Sequence, residues 1–428
     1  MGVYTPASNP VAAVDESMSA YCVNSEIGRL RKVIVHRPGL EIARLTPMNK
    51  ESLLFDDILW VERAQEEHDR FARILASRGA EVLDFRDLLG EALAGADARG
   101  AVVDEVITPR QCGPWMSERL RRELRECSMS DLLDAFLGGI LKSELVEWGV
   151  DPLFADIASN RFDYVIPPLP NLFFMRDNAA WIGGGVALSV LATPARASEA
   201  LYLRAIYKHH PAFAKAGFEV WYGNEPMHGF PASIEGGDVL VLDPDTVLIG
   251  CGARTTTAAA EMLAQRLFEA EAFRQVIVAQ FRKGRAVMHL DTVFTMADVN
   301  KFNFFPGVQR GMDVYILRPG TQNEFSVTRA DDLESALRST LRRDDLQFIA
   351  SGDEGIEFVR EQWDDGHNTL ALEPGVVVGY MRNSETNHRL RDAGIEVLEL
   401  DASELCRGRG GSRCMTQPIL RDPVNWER

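Results

Sequence analysis

The sequence predicts a mixed α/β fold of repeated units set around an axis and interrupted by one helical insertion. Two patterns carry that prediction. A diverged unit of strand, turn, strand and capped helix recurs along the 428 residues, and one long stretch replaces it with helical periodicity. Composition adds a third observation: 46% hydrophobic and 25% charged residues are the proportions of a globular chain with a core to bury.

The elements follow in order. RKVIVHRPG, near the N-terminus, reads as a strand and turn, with a helix start at Thr46-Pro47. The clearest copy runs NLFFMRD, NAAWIGGGVALSVL, then a helix start at Thr193-Pro194. The next runs ASIEGGD, VLVLDPDTVLIG, then Thr255 to Thr257. AVMHLD with TVFTM is another, and TLALEPG with VVVGYM and a helix start at Ser384 is the last. Thr and Ser hydroxyls accept from the free N–H groups of a first helical turn, and Pro at the first helical position has no N–H to lose. The acidic residues Asp177, Asp238, Asp291 and Glu373 mark the copies, at a spacing that implies supersecondary units around an axis. Residues 81–158 depart from the pattern. Leu, Ala, Glu and Arg dominate there, and apolar residues recur at three and four, as on amphipathic helices, with Asp131 as a helix cap. The expected organisation is therefore residues 1–80 as the first part of the α/β domain, 81–158 as an inserted helical domain and 159–428 as the remainder.

Charge and cysteine usage narrow the partners. Lys plus Arg number 46 and Asp plus Glu 63, a net charge of −17. Such a chain repels phosphate backbones and anionic lipid, so neither nucleic acid nor a membrane is expected as a partner. The first residues lack the basic start and apolar run of a secretory signal, and no stretch approaches the roughly 18 apolar residues of a membrane span. Six scattered cysteines without a CxxC pair fit a reduced, cytoplasmic setting.

Chemistry concentrates at a few positions. Asp177, Glu235 and Asp291 sit in or at the end of apolar, strand-like segments, which normally exclude carboxylates. Singly, each reads as a turn carboxylate; at matching points of a repeat, all three would meet at the axis. Asp238 and Glu373 read as turn residues. His289 precedes Asp291 by two, so on a strand both would face one way, giving an acid/base group beside an anionic one. Of the other histidines, His36 reads as strand packing and His209 and His210 as a helix end. His68, His228, His367 and His388 sit in polar sequence surroundings and give no signal. Cys414 stands in CRGRGGSRCMTQP, read as a mobile loop in which Arg407, Arg409 and Arg413 favour the nucleophilic thiolate. Cys406 follows an apolar-periodic segment and reads as packed. The P-loop, the dinucleotide-binding glycine pattern, the HExxH motif and zinc or iron ligand spacings are missing, so neither cofactor nor metal is expected. A thiol, a His and three carboxylates suit a cationic substrate with a flat fork of donors. A guanidinium fits: the thiolate attacks its carbon and the His protonates the departing nitrogen.

FMRD, EGGD, MHLDTVF, LEPGVVVGYMRN and GRGGSRCMTQPI, in that order, strongly resemble the bacterial arginine deiminases, from about residue 22 to 428. The resemblance implies a five-bladed α/β propeller of pseudo-fivefold symmetry with a helical domain inserted after the first blade. It implies hydrolysis of L-arginine to L-citrulline and ammonia without a cofactor, usually in a homo-oligomer. By position it makes Cys414 the nucleophile and His289 the general acid, then the general base. It sets Asp177 and Asp291 on the guanidinium and Glu235 behind His289. Asn171, Phe174, Arg196 and Arg254 fall around the amino-acid end of the substrate, and Arg409 on the loop that closes over it. Arg413 stands where some members have His, which implies altered thiol electrostatics. The alternatives are an agmatine deiminase, against which Arg196 and Arg254 argue, an amidinotransferase of the same fold, and a non-catalytic arginine-binding protein.

Overall fold

The computed structural model describes residues 20–149, 162–224, 231–320, 324–350 and 355–426. Its strands repeat one pairing pattern: an antiparallel hairpin whose second strand pairs in parallel with a third. Parallel neighbours need a crossover, and here a helix supplies it.

The first unit joins an early strand of the described residues to the last one. Strand β1 (Leu30–Val35) pairs in parallel with β2 (Glu81–Asp84), across the helix Val61–Ser77. A short ribbon, β3 (Ile140–Leu141) with β4 (Tyr164–Ile166), precedes the second unit, β5 (Ala179–Ile182), β6 (Gly185–Leu188) and β7 (Glu219–Tyr222). The third contains β8 (Val239–Asp243), β9 (Thr246–Cys251) and β10 (Gln275–Gln280). The fourth begins with β11 (Phe294–Asp298) and β12 (Lys301–Phe304). The chain then lays β13 (Asp313–Pro319) and β14 (Phe325–Ala330) onto the edge of the third sheet before β15 (Gln347–Ile349) returns to β12. The fifth is β16 (Leu370–Glu373), β17 (Val376–Tyr380) and β18 (Glu396–Leu400). Finally β19 (Gln417–Arg421) runs antiparallel to β1, with Leu30 opposite Arg421 and Ile34 opposite Gln417, and completes the first unit. The fold is mixed α/β. β5, β6 and β9 are buried along their whole length, which is why they read as apolar runs and not as alternation.

Local capping differs from expectation in places. Thr256 caps the helix Thr257–Glu269, accepting from Ala259 N, as a hydroxyl start should. Pro194 opens a 3-10 turn that runs into the helix Ala197–His209, and the Thr193 hydroxyl makes no cap bond. The helix Ser384–Asp392 is capped from outside: Glu361 accepts from the backbone N–H groups of Glu385 and Thr386. Thr46-Pro47 starts no helix. Asn49 captures the backbone there, accepting from Thr46 N and donating to Arg44 O, and the unit's helix begins at Val61.

The helical stretch starts at Phe85, because Glu81–Asp84 is β2. The helices Phe85–Ala92 and Ala96–Val106 pack on the helix Ala197–His209, Pro114–Glu126 packs on Ala96–Val106, and Leu89, Val103 and Leu120 share one core with Tyr202 and Ile206. Ser128, not Asp131, caps the short helix Met129–Leu133; Asp131 stands three residues on and accepts from the Ser128 hydroxyl. The expected end of this stretch, at 158, lies outside the described residues. No helix among the described residues is long and apolar enough to cross a membrane.

Candidate active site

The three carboxylates stand on tight turns that lead into the first strands of three units, and not within strands. Asp177 lies on the 3-10 turn Met175–Asn178 before β5. Glu235 opens the turn Gly236–Asp238 before β8, and His289 opens the turn Leu290–Thr292, carrying Asp291, before β11. His289 and Asp291 therefore approach the site through a turn and not through strand alternation. The glycines of EGGD permit this crowding. A Cβ on Gly236 would stand 2.1 Å from the Arg176 carbonyl, and one on Gly237 2.8 Å from the His289 ring. Asp238 ties two turns together, accepting from Thr255 Oγ1 at 2.6 Å and from Leu290 N at 2.8 Å. Glu373 sits in the β16–β17 hairpin.

The cysteine segment differs most from expectation. Cys414 is 3% exposed, and Gly408, Gly410, Gly411, Ser412 and Arg413 are buried with it. Close approach, and not mobility, explains the glycines. A Cβ on Gly410 would stand 2.3 Å from the Phe174 ring, and one on Gly411 2.5 Å from Asn368 O. Ser412 donates to Val378 O, Tyr380 to Gly410 O, and Cys414 N to Asn368 Oδ1 at 3.0 Å. The flanking cations turn away from the thiol. Arg413 forks onto Glu26 and gives Nη1 to Asp291 at 2.7 Å; Arg407 pairs with Asp57; Arg409 lies over Trp363. Burial first, then Asp291 and Asp177, hold the Cys414 thiol well above its ordinary pKa, with Arg413 opposing. This environment therefore favours the protonated thiol at neutral pH.

Around that thiol the expected residues converge. Cys414 Sγ lies 3.6 Å from Asp291 Oδ2. His289 Nε2 bonds Glu235 Oε2 at 2.6 Å, and Nδ1 lies 3.6 Å from Asp177 Oδ1. Burial alone would lower the His289 pKa, but Asp177, the Glu235 hydrogen bond and Asp238 outweigh it and raise the ring to about 9. Despite burial, the same hydrogen bond and His289 charge, aided by Arg254, hold Glu235 below the usual carboxylate range. Asp177, Asn171, Phe174, Arg196, Arg254, His289, Arg409 and Cys414 line one cleft; Glu235 and Asp291 stand directly behind His289 and Cys414. Asn171 donates to Leu53 O. Arg196 is fully engaged: Nη1 to Asp177 at 2.6 Å, Nε and Nη2 to Glu199, and Nη2 also to Asn171 O. Arg254 is held loosely, 3.6 Å from Glu235 and 3.8 Å from Met288 Sδ.

Buried groups without a hydrogen bond outline what this cleft takes. Asp177 Oδ1 and Asp291 Oδ1 are acceptors; Arg254 Nη1 and Arg409 Nε and Nη1 are donors. Among the described residues, Asp177, Glu235 and His289 are also the one set close enough to hold a cation. Glu235 occupies one ring nitrogen and Asp177 faces the other, so a single ion would reach all three only by breaking one of these pairs.

Sequence reasoning missed Asn368, which anchors the cysteine backbone, and Glu199, which grips Arg196. Asn368 precedes β16 as Asp177, Glu235 and Asp291 precede their strands, and that repeat position was its signal. Glu199 lies three residues after Arg196, a helical ion-pair spacing. His68 and His367, which carry no signal in sequence, are core residues whose burial lowers their pKa to about 4 and about 3. His36 is buried and bonds Glu41, and His210 bonds Glu91. His228 lies outside the described residues.

Comparison with known proteins gives one answer. The family model described as arginine deiminase matches residues 51–421. Arginine deiminases of Rhodococcus opacus (strain B4) and Rhodococcus jostii (strain RHA1) are each 44% identical over 408 residues, covering 94% of this chain and 97% of the relative. The solved amidinotransferase SxtG of Microseira wollei, from the saxitoxin biosynthetic pathway, shares the fold at a TM-score of 0.55 and 14% identity, covering 94% of this chain and 98% of its own. The product-bound N-terminal domain of ArgZ, a cyanobacterial arginine dihydrolase, does so at 0.51 and 13%, covering 92% and 99%. By sequence over nearly its whole length, with the turns and the cysteine segment that build the cleft, this chain belongs to the arginine deiminase family.

Proposed function

We propose that this protein hydrolyses L-arginine to L-citrulline and ammonia through a thiouronium intermediate on Cys414. The observation that carries the reading is the pattern of buried groups left without hydrogen bonds. Asp177 Oδ1 belongs to a residue that lines the cleft with the thiol, Asp291 Oδ1 to the carboxylate whose other oxygen lies 3.6 Å from Sγ, and the free donors belong to Arg254 and Arg409 in the same cleft wall. Such groups are costly to leave unmade. Arginine offers a guanidinium to the first set and a carboxylate to the second.

The chemistry then follows from charge. A guanidinium between Asp177 and Asp291 neutralises the field that keeps the thiol protonated, so substrate entry itself favours the thiolate. Cys414 passes its proton to Asp291 Oδ2, its neighbour at 3.6 Å, and Sγ bonds to the guanidinium carbon. His289, charged at neutral pH, protonates the departing nitrogen, and ammonia leaves as the carbon–nitrogen bond breaks. The now neutral His289 takes a proton from water and the hydroxide adds to the same carbon. The carbon–sulfur bond then breaks as Asp291 returns its proton to the sulfur and the added oxygen's proton leaves to water with the ammonia as ammonium, giving citrulline and restoring Cys414. Glu235 holds the ring throughout; fixed partners need little rearrangement during reaction. Arg196 serves by fixing Asp177 and by lining the amino-acid end of the cleft with Asn171 and Phe174.

The same reading arranges the five units as the blades of an α/β propeller, with about residues 81–158 inserted after the first. The recurrent sheet pattern and the site residues on equivalent turns support it. A cytoplasmic homo-oligomer completes the reading, and light scattering on purified protein checks the assembly. The functional test is product release from L-arginine and agmatine in parallel, with EDTA present. Equal citrulline and ammonia from arginine alone is the expected result. Product from agmatine would reassign the substrate, and product from neither would remove the activity.

A further inference from the structure

Arg409 occupies an unusual position. Its guanidinium carbon lies 3.4 Å from the centre of the Trp363 ring, while the arginine is 6% exposed and the tryptophan 43%. The indole thus covers the cation from solvent. Arg409 Nε and Nη1 are buried without a hydrogen bond, and the nearest carboxylate, Asp56, is 3.9 Å away and already bonded to Arg285 at 2.9 Å. The backbone of Arg409 is left-handed, at φ +66°, a conformation that side-chain-bearing residues seldom adopt without a surrounding constraint. Trp363 ends the helix Ile356–Trp363, and its two preceding residues are anchored: Glu361 caps the helix Ser384–Asp392, and Gln362 donates to Ala286 O. A cation is therefore held in the cleft wall by a ring on a fixed helix end, with its donors unspent.

We propose that Trp363 is a positioning residue that holds Arg409 in place before substrate arrives, so that its free donors meet the substrate carboxylate without a search. The inference rests on the reading of the cleft as an arginine site. Attraction of a guanidinium to an indole face is strongest when the pair is shielded from water, as here. Without the ring, Arg409 is free to turn toward solvent and Asp56, and the substrate must then draw it back.

The test compares binding of L-arginine and agmatine, which lacks the carboxylate, by calorimetry in a Cys414→Ala background, which prevents turnover. Trp363 is partly exposed, so Trp363→Ala should leave the core intact, and a melting curve checks that. Trp363→Ala is expected to weaken L-arginine about tenfold and agmatine less than twofold, with Trp363→Phe between. In the active enzyme the loss should fall on KM more than on kcat. Unchanged arginine binding, or equal weakening of both ligands, would overturn the proposal. Absence of arginine binding or turnover with Trp363 in place would instead overturn the functional reading beneath it.

Discussion

At the scale of single residues, electrostatics decides what the site can do. Cys414→Ala should abolish citrulline formation and leave the melting curve in place, because alanine keeps the backbone bond to Asn368 and removes only a sulfur that faces Asp291. His289 sets the pH dependence. Its pKa is raised to about 9, so the acid form prevails at neutrality and is lost above about 9, and kcat should fall there. The linked stability has the same sign. A raised pKa stabilises the fold fully below the unfolded value, roughly 6.5, and the benefit disappears as pH climbs to about 9. Chemical denaturation at pH 6 and pH 9.5 should therefore show a smaller pH difference in His289→Gln than in the parent. Arg413 acts on the Cys414 thiol by its charge and through its bond to Asp291, so Arg413→His should move the pH–rate profile; an identical profile would deny it that influence. Sequence singled out the carboxylates as acids in strand-like segments, His289 by its spacing from Asp291 and Cys414 by its glycine- and arginine-rich loop, and the fold brings these residues together. Sequence misread their surroundings: three arginines adjacent in sequence promised a thiolate, but backbone direction sends them to Glu26, Asp57 and Trp363, and burial among carboxylates does the opposite.

At the scale of elements, the tight turn before each unit's first strand is the device that matters. Turns of three or four residues bring carboxylate, imidazole and backbone closer than strand ends would, and only Gly fits where they touch. Gly410→Ala forces a Cβ to 2.3 Å from the Phe174 ring. Overpacking of this kind costs about 1–3 kcal/mol, so the variant should melt several degrees lower and lose most of its rate. Melting at the parent temperature with full turnover would show that the loop yields easily. Hairpins were readable, since apolar runs are local signals, but of the expected hydroxyl and proline helix starts only Thr256 makes its cap bond. The 3-10 turns were not: three residues of NLFFMRD or VMHLD look like the beginning of a strand. Thr46-Pro47 failed as a helix start for a related reason, a nearby Asn side chain capturing the backbone that a helix would need.

At the scale of the whole molecule, five sheets share one pairing pattern, and the one built from β19 and β1 joins an early strand of the described residues to the last one. Deleting residues 417–428 removes the partner of β1 and, with it, the anchor just beyond Cys414. The truncated chain should fail to fold cooperatively by circular dichroism, where loss of a frayed tail would leave the melt unchanged. The repeat was legible because each copy kept its marker acid. The closure of the first unit was not, because strand pairing across nearly the whole chain leaves no local trace. The extension of the third sheet by β13 and β14 was equally hidden, inside the crossover of the fourth unit.

These scales meet in one covalent bond. The most direct measurement is the mass of the protein, acid-quenched during steady turnover with excess L-arginine, followed by mapping of the modified peptide. A fraction of the protein should carry the mass of arginine less ammonia, located on Cys414. Citrulline formed with no adduct at any quench time, or with the adduct on another residue such as Cys406, would contradict it.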